Sequence, residues 1–131
     1  MKNTVIFLAI FCLPTVPLYA QNNGAMFKFD EETHDFGTVK RGAPAIDTFW
    51  FTNAGTRPLN IQDVTPSCGC TNVKWSSYPV KPGAKGYISL SLNTAEQHGI
   101  FNKEVYIRSD AVNNPYGDKR YTIHIKGDAK D

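Results

Sequence analysis

Cysteine is scarce in this chain. Only Cys12, Cys68 and Cys70 occur among 131 residues, too few for a disulfide-built scaffold. Charge of one sign is lacking as well: 14 basic against 12 acidic residues leave +2. So small an imbalance gives no electrostatic footprint for nucleic acid or an anionic membrane. Beyond the first 20 residues no apolar run approaches the ~20 residues that span a bilayer. No window carries a convincing apolar stripe at helical period, which argues against a helical fold. Catalytic signatures are missing too. His34, His98 and His124 are widely spaced, with no H-x-x-x-H ligand pair. No G-x-S-x-G elbow is present, and Asp35-Phe36-Gly37 lacks the glycine-rich loop, strand lysine and catalytic-loop aspartate of a kinase. The cysteines are spaced C-x-C, and no helical pattern follows as a thioredoxin-like site requires.

What is present begins with an export pattern. Residues 1–20 carry one charge, Lys2, then an apolar stretch from Val5 to Val16 broken by Pro14, then Ala20 before polar Gln21. A charged start, a short apolar run and a small residue at the cut predict a signal peptide cleaved after Ala20. Pro14 interrupts the run too early for a membrane anchor. Bulky Ile10 and Phe11 precede Cys12, where a lipid-anchor site wants small residues. The expected mature chain has 111 of the 131 residues, with 13 basic and 12 acidic groups. That is one domain, in the periplasm, at the cell surface or secreted. Residues 21–25 read as a mobile polar lead-in, and residues 26–131 as the folded domain.

The mature sequence alternates. Phe27 and Phe29 share a parity, and His34 to Val39 is expected to continue that edge past Glu31 and Glu32. Phe49 and Phe51 alternate with Thr48, Trp50 and Thr52. Leu59 and Ile61 share a parity that Val64 breaks, the mark of a bulge or an early strand end. Ile88, Leu90 and Leu92 alternate with serines. Phe101, Val105 and Ile107 form another face, from which Lys103 departs as though near its end. Tyr121, Ile123 and Ile125 form the last. Period-2 alternation marks strands with one buried face, and turn residues separate the runs, as at Asn53-Ala54-Gly55, Pro82-Gly83 and Asn113 to Asp118. Short strands at this spacing predict an all-β fold: an immunoglobulin-like antiparallel β-sandwich of about seven strands, with a closed barrel as the alternative.

The aromatics offer surface candidates. Trp75 precedes the loop Ser76-Ser77-Tyr78-Pro79, so Trp75 and Tyr78 are expected to face a partner. Trp50 lies opposite the Phe49 and Phe51 parity, but the usual burial of tryptophan favours a covered position. His124 is expected on an exposed face, and His34 lies close in sequence to Glu31, Glu32 and Asp35.

Cys68-Gly69-Cys70 is the main chemical candidate, with three readings. In an extended strand, residues i and i+2 stand about 6.6 Å apart, whereas a disulfide wants Cα atoms ~5.5–6 Å apart. Gly69 permits the bend required, and Pro66 argues against a straight strand. A disulfide closing so small a loop adds little stability and is exchangeable. Alternatively, two thiolates are soft ligands for Cu(I) or zinc, although a structural zinc wants four ligands. The third reading is a pair of small residues packed at a tight turn. Export into an oxidising compartment favours the disulfide.

The motif series Ser67-Cys68-Gly69-Cys70-Thr71, His34-Asp35-Phe36-Gly37, Phe51 to Gly55, Pro58-Leu59-Asn60-Ile61, Pro82-Gly83, Gly86 with Ile88, and Gly99 with Phe101 resembles a bacterial exported family of unknown function. That family is similar to immunoglobulin-like modules of the Hydin and major-sperm-protein type. The resemblance covers about residues 30–127 and implies a sandwich without established catalytic residues. The expected function is a non-enzymatic binding, adhesion or scaffold module of the bacterial envelope, needing no cofactor. Its partner is a protein or another envelope component. The alternative is a periplasmic redox or soft-metal-handling protein using Cys68 and Cys70.

Overall fold

The computed structural model describes residues 23–115 and 120–131. The expected export signal and the Tyr116–Lys119 part of the turn-rich loop lie outside the described residues.

Among the described residues eight strands form: β1 (Phe27–Phe29), β2 (Thr33–Lys40), β3 (Ala45–Asn53), β4 (Ile61–Pro66), β5 (Thr71–Trp75), β6 (Lys85–Leu92), β7 (Gly99–Ser109) and β8 (Arg120–Lys130). They assemble into two four-stranded sheets, ordered β1-β3-β6-β5 and β2-β8-β7-β4. The sandwich is immunoglobulin-like. Its inner faces come from the alternation: Phe49, Phe51, Ile88, Leu90 and Leu92 from the first sheet meet Val105, Ile107, Ile123 and Ile125 from the second, all buried. Period 2 places such residues on one side of each strand, and two apolar sides close on each other. Phe27, Phe29, Phe51 and Tyr121 bridge the sheets at one end, with Phe27 and Phe51 edge-to-face at 4.9 Å and Phe27 at 5.2 Å from Tyr121.

Three expectations change. The His34–Val39 run does not continue β1. It belongs to β2, which lies in the other sheet and pairs with β8 in parallel, so the fold is not wholly antiparallel. A bulge between Asp35 and Thr38 bends β2. Gly37 supplies it at φ 64°, a conformation open to glycine, and its N–H donates to the Asp35 carboxylate at 2.8 Å. About seven strands are expected, and eight form among the described residues, with three-residue β1 as a separate strand. The lead-in is not wholly mobile: Gly24 and Ala25 are buried, Ala25 bridges in parallel to Ala111, and the Gly24 carbonyl accepts from the Thr56 N–H at 2.8 Å. Lys103 sits in mid-β7, half-buried on the inner parity opposite Ile125, rather than near the strand end. The Ile61–Val64 break, by contrast, is a bulge as expected, with the β4–β7 register shifting between Ile61 and Asp63.

Two glycines enter the sandwich for want of a side chain. Gly86 lies opposite Phe51 in the β3–β6 ladder, and a Cβ there would stand 2.3 Å from the Phe51 ring. Gly127 lies opposite Phe101 in the β7–β8 ladder, and its Cβ would stand 2.7 Å from the Phe101 ring. Each phenyl ring therefore covers a glycine across the sheet.

Candidate functional site

The Ser67–Cys70 turn carries the chain from β4, an edge strand of one sheet, to β5, an edge strand of the other. Pro66 ends β4; it has no N–H to offer the ladder, which suits an edge. The turn brings the two sulfurs to disulfide-bonding distance, with Cα atoms 5.3 Å apart. That matches the bent geometry that an i, i+2 pair requires. Cys68 and Cys70 are half-buried, while Ser67 and Gly69 are exposed. The turn is clamped at both ends by the backbone. The Ser67 N–H donates to the Glu104 carbonyl at 2.8 Å, and the Glu104 N–H returns to Ser67 Oγ at 3.1 Å. The Asn93 N–H donates to the Cys70 carbonyl at 2.8 Å, and the Thr71 N–H to the Cys68 carbonyl at 3.4 Å. Thr71 is buried, and its hydroxyl stands 3.8 Å from Cys68 Sγ and 4.0 Å from Cys70 Sγ. Beside the clamp, the Tyr106 hydroxyl donates to the Glu104 carboxylate. That hydrogen bond, reinforced by burial and by the carboxylate charge, raises the Tyr106 pKa.

The aromatic surface differs from expectation. Trp75 ends β5 and packs against the core, so it is not the open loop aromatic that its sequence position suggests. Tyr78 is 54% exposed. Trp50, expected to be covered, is 48% exposed. Its ring lies 5.8 Å from that of Tyr87, its cross-strand neighbour. Next to Tyr87, buried Ser76 exchanges hydrogen bonds with its backbone and approaches the Tyr78 hydroxyl at 3.5 Å. Trp50 and Tyr87 thus form an aromatic pair on the outward parity of β3 and β6, while exposed Tyr78 lies in the loop after β5. The parity of Trp50 against Phe49 and Phe51 was the signal for this pair; the burial tendency of tryptophan outweighed it. Tyr87 shares that outward parity with Ser89 and was missed.

A third cluster joins the sheets at the β2–β3 side. His34 Nδ1 stands 2.8 Å from Glu31 Oε1 and 3.5 Å from Asp47 Oδ2. Proximity of His34 to Glu31 was legible; Asp47 comes from β3 and was not. Glu32, also close in sequence, instead receives the Tyr121 hydroxyl. His98 is engaged by Arg41 at 2.9 Å, and His124 is half-buried on β8.

No curated protein matches this sequence. Solved structures show the fold. A protein of unknown function from Porphyromonas gingivalis W83 superposes with a TM-score of 0.69 at 15% identity, covering 87% of this chain and 51% of that one. This chain therefore spans about half of that protein's length. The Vibrio cholerae VesB protease superposes at TM-score 0.64 and 15% identity, over 79% of this chain and 32% of the protease chain. PapD-like domain 7 of human CEP192 superposes at TM-score 0.60 and 11% identity, over 100% of this chain and 99% of the domain. At such identities the likeness is one of fold. The sequence match is more specific: the chain belongs to the family described as "Protein of unknown function (DUF1573)", whose model matches residues 27–129.

Proposed function

We propose that the protein is an exported, non-enzymatic binding, adhesion or scaffold module of the bacterial envelope. Its partner, a protein or other envelope component, docks on the Trp50–Tyr87 pair, with exposed Tyr78 of the loop after β5 as a further contact. The half-exposed Trp50 carries this reading. A tryptophan left in water on a sheet face, with a tyrosine against it, is the kind of anchor that dominates interface energetics. The same face offers a polar rim: outward-facing Thr48 and Ser89 share a hydrogen bond at 3.4 Å, and Lys85 pairs loosely with Asp30 at 3.8 Å. The charged start, apolar run and Ala20 of the sequence support export.

Position-specific photocrosslinking in cells of the native host tests the reading. A photoreactive residue at Trp50 or Tyr78 is expected to give a discrete adduct. One at Thr122, on the outward parity of the other sheet, is expected to give none. Adducts from Thr122 alone, or equal labelling from all three positions, would contradict it.

A further inference from the structure

We propose that the Cys68–Cys70 pair is a thiol–disulfide exchange site whose reactant is a dithiol, such as a protein dithiol, and that it is reduced without unfolding the domain. Three observations converge. The bond spans one intervening residue, so it constrains the unfolded chain very little. The turn is held independently of it by the Ser67–Glu104 pair of hydrogen bonds, by Asn93 on the Cys70 carbonyl, and by the β5–β6 ladder that starts at Thr71 opposite Leu92. Both cysteines are half-buried, Cys70 against the core, on a turn at a corner between two edge strands whose Ser67 and Gly69 are exposed and leave a reactant a way in. A disulfide that the fold does not need, on a partly exposed turn, is suited to exchange.

The chemistry balances as follows. A thiolate of the dithiol attacks Sγ of one cysteine. The Cys68–Cys70 bond breaks, an intermolecular disulfide forms, and the bonding pair leaves on the other cysteine as a thiolate. The dithiol's second thiolate then attacks its own sulfur in the mixed disulfide and releases the remaining cysteine. Two electrons pass from the dithiol, now an internal disulfide, to the cysteine pair. Two protons complete the two new thiols.

Thr71 acts as a positioning residue in this step. Its hydroxyl lies within 4.0 Å of both sulfurs, and it is buried and therefore fixed. It can donate to whichever sulfur leaves. A hydrogen bond to the charged form favours that form, so it speeds departure of the thiolate.

The test is native-state reduction of the exported protein by dithiothreitol at rising urea, read by alkylation and mass spectrometry, with circular dichroism on the same samples. The proposal expects the bond in the protein as isolated, reduction in plain buffer with the dichroism retained, and a rate that stays flat below the unfolding transition. Thr71→Val is expected to slow reduction roughly two- to tenfold, the effect of one modest hydrogen bond, and Thr71→Ser to restore it. Reduction that rises in step with unfolding would show a structural staple and overturn the proposal. So would two free thiols, or a stoichiometric zinc or copper ion, in protein isolated without reductant. Should Thr71→Val fail to fold, the urea dependence of the wild-type protein decides the matter.

Discussion

Asn53 shows how much one side chain can organise. It stands at the end of β3, fully buried. Its amide donates to the carbonyls of Arg57 and Val80 at 2.7 and 2.9 Å. Its side-chain oxygen accepts from the N–H groups of Met26 and Gly55 at 3.2 and 3.0 Å. One residue thus ties together backbone groups from three segments: Met26, the Gly55–Arg57 loop and Val80, whose carbonyl also accepts from the Leu59 N–H. Asn53→Ala would leave the Met26 and Gly55 N–H groups without this acceptor, and each buried unsatisfied group costs ~1–3 kcal/mol. A loss above ~3 kcal/mol is therefore expected in urea denaturation, and a loss below 1 would place water or another acceptor in that role. Tyr121 gives a pH-dependent counterpart. Burial, then its hydrogen bond to Glu32 and the Glu32 charge, raise its pKa well above the ordinary value. The folded state then holds this proton after the unfolded state begins to lose it near pH 10, and stability falls as pH rises further. The contribution is complete below pH ~10 and is lost above it. Tyr121→Phe is expected to flatten the decline of the urea midpoint above pH ~10, and an unchanged decline would assign it to other groups. In the sequence Asn53 read only as part of a turn and Tyr121 as an inner-face residue. Their partners come from distant segments, which a single strand's pattern does not contain.

At the scale of elements, parity was the readable quantity and pairing was not. Ile88, Leu90, Leu92, Val105, Ile107, Ile123 and Ile125 face inward as their period-2 spacing requires, and the break after Ile61 located the β4 bulge. Which strand lies beside which depends on the assembled sandwich, so the parallel placement of β2 on β8 was hidden. Lys103 misled because a charge on an inner parity looks like a strand end, whereas a long side chain can keep its amine at the rim. Trp75 misled because loop position was taken for exposure. The inner face can be tested directly: Ile107→Ala should cost ~2–5 kcal/mol, and Thr122→Ala, half-buried on the opposite parity, about 0.5 kcal/mol or less. Equal losses would contradict the assignment. Gly86→Ala drives a methyl group into the Phe51 ring and should cost ~1–3 kcal/mol by overpacking. Pairing it with Phe51→Leu should recover part of that loss, since the smaller side chain yields the space; full additivity of the two changes would show that the ring is not the obstacle.

For the whole molecule, the two sheets bury the apolar faces, and the candidate features lie at the margins of that core. The Trp50–Tyr87 pair occupies one outer face, and the cysteine pair, with Cys70 against the core, occupies a corner where the chain passes between edge strands. The Ser-Cys-Gly-Cys-Thr segment was legible as a bend because Gly69 permits one and Pro66 argues against a straight strand. Its placement between the sheets was not, because it depends on β4 and β5 lying at the edges of different sheets. The account's central claim is that this fold stands without the cysteine bond, which leaves the pair free for chemistry. Equilibrium urea denaturation of the Cys68→Ser, Cys70→Ser double variant against the wild-type protein tests it most directly. The account predicts a single cooperative transition with an unchanged slope and a loss of only ~1–2 kcal/mol, below the 2–4 typical of longer disulfide loops. A loss of 4 kcal/mol or more, or a variant that does not fold, would contradict it and make the pair a staple of the sandwich.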